Sequence, residues 1–304
     1  MRIYEFAEGV FVTAARDDEN AALVGTRITA VGDTPIEEVL AAVEPLVPRD
    51  GPATVPAFRP VLMLRTEVLI GLGIIEPGAV ALAYDGAEGD GTATLDPIPF
   101  DEYVEWAGGF GMLQLPADDE VRYLADPSPL MVDRLEDGAT LYVRYRSVVP
   151  PDMGSARAEL AAGGVERLVL DLRQNPGGDN TTYAPLLSFV RDFAQEHPGS
   201  VSVLTDRVTF SAAANLATEI EQRTDARFVG EPMGGGLNFW DDVRFVRLDA
   251  LPVPMQVGVS TRYWQKAEPD EERLTIQPDI EVPVTAADYF GHRDPAIDAA
   301  TSAP

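Results

Sequence analysis

Two short stretches of this sequence carry residues that could do covalent chemistry. The first, DLRQNPGGDN (Asp171–Asn180), follows the apolar run VERLVLDL and precedes a helical pattern. Gly177 and Gly178 lack a Cβ, so backbone N–H groups there can approach a ligand closely. Amides in such a turn can hold an anion or a developing oxyanion. The segment has neither the G-x-G-x-x-G of a dinucleotide turn nor the G-K-[ST] of a phosphate loop. An ordinary strand-to-helix turn, with Asp171 and Arg173 as a local ion pair, accounts for it equally well. The second stretch, TFSAAANLATEIE, puts Ser211 at the amino end of a predicted helix. Free N–H groups and the positive end of the helix dipole favour negative charge there. A carbonyl attacked by the Ser211 hydroxyl would lie beside the Ala212 N–H. A plain helix cap is the competing reading, although a capping box needs Glu or Gln at position 214, where Ala214 stands.

The elements that must position these residues are legible as patterns. GVFVTAA (9–15) and TRITAVGDTPI (26–36) read as short, half-buried strands around a Gly25 turn. Glu37–Val47 reads as an amphipathic helix with Val39, Leu40, Val43 and Leu46 on one face. Strand and turn continue to residue 98, and residues 99–130, punctuated by Pro and Gly, read as a connector. From Ala139 the pattern becomes α/β. ATLYVRYRSV is a strand, 155–162 a short helix closed by Gly163-Gly164, and VERLVLDL a buried strand. A helix over 181–196, the strand SVSVLTD, the helix from Ser211 and strands ARFVG, RFVRL and MQVGVST follow.

The order and spacing of DLRxNPGG, TFSAA and VGEP (229–232) resemble the tail-specific/tricorn serine peptidase family. QPDI (277–280) and DYFGHRDPAIDAA (288–300) resemble that family's closing segments, and GVFVTAA…GTRITAVGDTPIEEV its PDZ-like region, so the resemblance spans most of the chain. It implies a PDZ-like domain over 1–98, a connector over 99–130 and a ClpP/crotonase-like ββα peptidase domain over 131–304. It also implies Ser211 as nucleophile, an oxyanion hole from Gly177, Gly178 and Ala212, and a peptide or unfolded protein as substrate. The general base does not carry over. One branch of the family uses a lysine, but Gly236 stands near its place and Lys266, the only lysine, lies well beyond it. The other branch uses a histidine from a helical segment ahead of the PDZ-like module, and neither His197 nor His292 matches it. The resemblance therefore implies a peptidase chain lacking that segment, exported as relatives often are, or a silent peptide-binding protein on the same fold. The family's downstream acidic residue has its nearest candidate in Glu268, for which solvation at the surface is the simpler reading.

Composition bounds the rest. With 304 residues and 45% hydrophobic content the chain can build a full core. A formal charge of −27 argues against nucleic acid and anionic membrane surfaces as partners. The longest apolar run, Val68–Ile75, sits between Glu67 and Glu76 and is too short to span a bilayer. Zero cysteines exclude thiolate chemistry, and two distant histidines make a His-based metal site an unattractive expectation. No metal or cofactor is expected.

Overall fold

Each half of the chain builds one sheet, with strands partly buried in the first and buried at successive positions in the centre of the second. The computed structural model describes residues 1–87, 89–107, 114–250 and 255–302. In the amino-terminal half, β1 (Arg2–Phe6), β2 (Gly9–Ala14), β3 (Arg27–Val31) and β4 (Thr34–Pro35) are followed by helices α1 (Ile36–Val43), α2 (Thr54–Met63) and α3 (Thr66–Gly71). Strands β5 (Val80–Asp85) and β6 (Gly91–Leu95) complete an antiparallel sheet of order β1-β2-β3-β5-β6, with β4 paired to β3. Val10, Val12, Ile28 and Val31 pack there against Val39, Val43, Val61 and Leu69 of the helices. The helix expected over 37–47 ends at Val43 and continues as a 3-10 turn, Glu44–Leu46. Pro45 has no N–H for the α-helical ladder, which explains the stop.

Residues 99–130 form more than a tether. They contain α4 (Phe100–Ala107) and α5 (Arg122–Ala125), and they bury Leu115, Val121, Tyr123 and Leu124 against Tyr4, Phe6, Ala286 and Tyr289. This cluster joins β1 to the carboxy-terminal segment. Its residues lack periodic spacing, so nothing in the sequence pattern marks them as core.

The second half begins with β7 (Leu130–Arg134), β8 (Thr140–Tyr145), α6 (Gly154–Ala162) and β9 (Arg167–Asp171). It continues through α7 (Ala184–Glu196), β10 (Val201–Thr205), α8 (Ala212–Arg223) and β11 (Arg227–Gly230). A hairpin of β12 (Asn238–Leu248) and β13 (Met255–Gln265) precedes β14 (Ile280–Glu281), α9 (Ala286–Tyr289) and α10 (Pro295–Ser302). Strands β8, β9, β10, β11 and β14 run parallel in the order β14-β11-β10-β9-β8-β7, with β7 as an antiparallel edge. Leu141, Val143, Leu168, Leu170, Val201 and Val203 face α6–α8, and the alternate residues Tyr142, Val169, Leu204 and Val229 face α10. Burial on both faces is why these strands read as continuous apolar runs. RFVRL and MQVGVST are strands as expected, but they pair with each other and join neither sheet. Trp240, Phe245, Val246, Val257 and Val259 are exposed on this hairpin.

Two arginines lock the parts together. Arg173 pairs with Asp171 at 2.6 Å and with Asp294 at 2.7 Å, its guanidinium 3.8 Å from the Tyr123 ring centroid. Arg207 pairs with Glu231 at 2.7 Å and donates to the Glu5 carbonyl of β1 at 2.6 Å. The ion pair between Asp171 and Arg173 expected from their spacing is thus present, and the structure extends it to Asp294. Because Asp171 is fully buried, Arg173→Ala strands a carboxylate. We expect that variant to lose about 3–5 kcal/mol of stability in urea unfolding. A loss under 1 kcal/mol would show that the lock contributes little.

Candidate active site

The turns that follow β9, β10 and β11 meet at the carboxyl ends of their strands, the usual position of sites in parallel sheets. One buried carboxylate organises the first two turns. Asp206 accepts hydrogen bonds from the Gln174 N–H (3.1 Å), Gln174 Nε2 (2.6 Å), the Val208 N–H (2.9 Å) and the Thr209 N–H (3.0 Å). Thr209 Oγ1 donates to the Leu172 carbonyl at 2.9 Å, and the Phe210 N–H donates to the Asn175 carbonyl at 3.0 Å. Asn175 in turn donates through Nδ2 to the Tyr145 carbonyl and accepts the Gly177 N–H on Oδ1 at 2.9 Å. The NPGG turn and the TFS turn are therefore held side by side, as their joint occurrence in the sequence suggested.

Ser211 sits at the sharp entry to α8 with φ 49° and ψ −122°. A positive φ at a residue with a Cβ is uncommon and costs on the order of 1–3 kcal/mol, so surrounding structure must hold it there. Glycines make room for it. A Cβ on Gly177 would lie 2.7 Å from Ser211 Cβ and 3.0 Å from the Ala212 nitrogen. One on Gly235 would lie 2.4 Å from Ala214 Cβ and 3.2 Å from the Ser211 nitrogen. Ser211 makes no side-chain cap to α8. Among the described residues, the Gly178 and Ala212 N–H groups make no hydrogen bond, whereas the Gly177 N–H is taken by Asn175.

The Ser211 hydroxyl donates to Asp241 Oδ2 at 3.2 Å. Asp241 lies on β12 at the root of the hairpin, beside Asp242, whose φ is 54°. Burial, with the charge of Asp241 added, raises the Asp50 carboxyl above its usual range, so the loop before α2 also adjoins this site. Sequence reasoning left Asp241 without a role and did not single out Asp50, Asp206 or Gly235. Asp206 carried a usable signal as the polar residue ending the apolar strand SVSVLTD; Asp50, far away in sequence, carried none.

The other titratable candidates are engaged elsewhere. His197 stacks on Phe193 with ring centroids 4.6 Å apart, and His292 Nδ1 lies 3.0 Å from Asp118. Lys266 pairs with Glu219 at 2.7 Å. Glu219 is two turns along α8 from Ser211, roughly 12 Å at 1.5 Å per residue. The Glu268 side chain is exposed, and its carbonyl accepts from Asn238 Nδ2. Among the described residues, no group of three or more His, Asp or Glu is arranged to hold a metal, and no helix is long and apolar enough to cross a membrane.

With this geometry in hand, the chain is similar in fold to several solved structures. Mature CPAF complexed with lactacystin superposes with a TM-score of 0.58 at 12% identity, over 99% of this chain and 81% of that one. Mature CPAF superposes at 0.54 and 12% identity, over 94% and 78%. The photosystem II D1 C-terminal processing protease aligns over 93% of this chain and 71% of its own at 16% identity, but its TM-score of 0.38 is too low to carry an argument. No protein-family model and no curated protein sequence matches. These observations define a mixed α/β protein that shares the fold of mature CPAF.

Asp206 supplies a pH signature of the site's scaffold. Burial, then the charge of Glu231, pushes its carboxyl up to about 6 from 3.8. The folded protein thus binds this proton more tightly than the unfolded chain does. The resulting contribution to stability is complete below pH 3.8 and is lost as pH rises through about 6. Asp206→Asn removes that titration. The difference in Tm between parent and variant should shift chiefly between pH 4 and 6 and level off above 7; a difference constant with pH would refute the assignment.

Proposed function

We propose that this chain is a serine-type hydrolase acting on peptide bonds, with Ser211 as nucleophile. The observation that carries the reading is the strained turn that presents Ser211 beside the unengaged amides of Gly178 and Ala212. In this reading the N–H groups of Gly178 and Ala212 hold the developing oxyanion. Gly177, whose own N–H is bound to Asn175, contributes the missing Cβ that lets its turn lie against Ser211. The first sheet with α1–α3, residues 1–98, serves as a PDZ-like peptide-binding domain, and 131–304 as a ClpP/crotonase-like catalytic domain, with 99–130 between them. The fold shared with mature CPAF and the order of the motifs support this division of labour. The expected substrate is a peptide or an unfolded protein segment.

A second reading, a silent peptide-binding protein, is favoured by one specific observation: both histidines have their contacts away from Ser211. A fluorophosphonate probe decides between them. The hydrolase reading expects covalent labelling that Ser211→Ala abolishes, and cleavage of unfolded protein that the same change removes. Peptide binding that persists in Ser211→Ala, with no labelling of the parent, would establish the silent protein instead. Gly178→Ala is a sharper probe of the oxyanion site, because its Cβ would lie 2.2 Å from the Val148 carbonyl oxygen and force the turn to move. We expect labelling to slow by about 10²-fold. An unchanged rate would remove Gly178 from the hole.

A further inference from the structure

The structure assigns to Asp241 the role of proton acceptor for Ser211, so that a carboxylate at the root of the hairpin activates this serine without an imidazole. The inference rests on the reading of Ser211 as nucleophile and goes beyond it by naming the base.

Four observations support it. Asp241 Oδ2 accepts the Ser211 hydroxyl at 3.2 Å, the only hydrogen bond that hydroxyl makes among the described residues. Asp241 is half-buried, and Asp242 beside it takes a left-handed φ of 54° at the point where Asp241 turns to Ser211. The arginine opposite Asp241 in the ladder does not neutralise it. Arg262 is its Cα partner on β13, but that guanidinium lies 3.8 Å from Asp242 and stacks 3.6 Å from the Trp264 ring centroid. Lastly, Asp50, from the loop before α2, is near enough to feel the charge of Asp241, and it brings a second acid rather than a cation. Among the described residues, the Ser211 hydroxyl is the only hydrogen-bond partner of the Asp241 side chain. An aspartate that served only to pin the hairpin would be expected to bond its own ladder or Arg262.

The chemistry balances with the groups present. Asp241 takes the proton from Ser211 Oγ as the bond from Oγ to the carbonyl carbon forms. The carbonyl π pair moves to oxygen, where the Gly178 and Ala212 amides hold it. Collapse of that intermediate breaks the C–N bond, and the proton passes from Asp241 to the departing amine. Water then gives a proton to Asp241 while attacking the ester, and the proton returns to Ser211 Oγ as the acyl–oxygen bond breaks. A carboxylate is a weaker base than an imidazole, so turnover should be slow but base-dependent.

The test uses the 304-residue chain and a fluorophosphonate probe, with Tm recorded for every variant. Asp241→Asn keeps the shape and one acceptor oxygen but loses the base. It should label at least about 10²-fold more slowly than the parent. His197→Gln combined with His292→Gln should stay within about twofold of it. Asp241→Ala with added formate provides a check independent of folding, because a small carboxylate restores a missing base but not a missing structural contact. Saturable rescue by formate is the expected result. Labelling of Asp241→Asn at the parent rate, with Ser211→Ala silent, would overturn the role of Asp241 and leave Ser211 as nucleophile. A parent that does not label, or a double histidine variant that does not, would also overturn it. Labelling that survives Ser211→Ala would sink the nucleophile reading itself.

Discussion

The Asp206 carboxylate is the constraint on which the site depends. It is buried and cannot exchange its hydrogen bonds for water, so each donor it gathers is held for as long as the domain stays folded. Those donors come from two turns, one after β9 and one after β10. Gln174 belongs to the glycine-rich turn; Val208 and Thr209 belong to the approach to Ser211. Parallel neighbours place both turns at the same sheet edge, and the carboxylate converts that proximity into a defined separation. Raising its carboxyl toward 6 is the electrostatic cost of using a buried anion for this purpose.

Strain at Ser211 is sustained by the same arrangement. The turn backbone is fixed on one side by the Phe210 N–H bonded to Asn175 and on the other by α8, whose first turn, 212–215, is wholly buried. Gly177 and Gly235 both pack closely against it with no side chain to obstruct them. Among the described residues, the amides of Gly178 and Ala212 beside this backbone have no hydrogen-bond partner. The hairpin of β12 and β13 contributes to this site from its root, although most of its length stands away from both sheets.

The amino-terminal sheet is joined to this arrangement through polar and aromatic contacts. Arg207 bonds Glu231 beside the active turn and the Glu5 carbonyl of β1, and its guanidinium lies 4.9 Å from the Tyr4 ring centroid. Leu115, Tyr123 and Leu124 fill the space between the sheets with Tyr4, Phe6 and Tyr289. Arg207, four residues before Ser211, thus ties the first sheet directly to the turn that leads into α8.

Local sequence alone determined a good deal here. Alternating and continuous apolar runs specified the strands, three- and four-residue spacing specified α7 and α8, and the pairing of NPGG with TFS marked the two turns. These are properties of the chain over a few residues, where backbone sterics and burial period dominate. It also placed Asp171 beside Arg173, since two residues of separation suffice for that bond. Other features depended on contacts between residues distant in the chain. Asp241 is 30 positions from Ser211, on a hairpin whose strand pattern resembled that of a sheet member. Asp50 comes from the loop before α2 in the amino-terminal half, and Leu115 and Tyr123 are buried in a segment whose Pro and Gly content read as a connector. Which carboxylate meets the serine is set by how the hairpin leaves β11 and packs beside α8. That is a matter of tertiary geometry, because hydrogen bonding depends on ångströms of separation that no short-range pattern encodes.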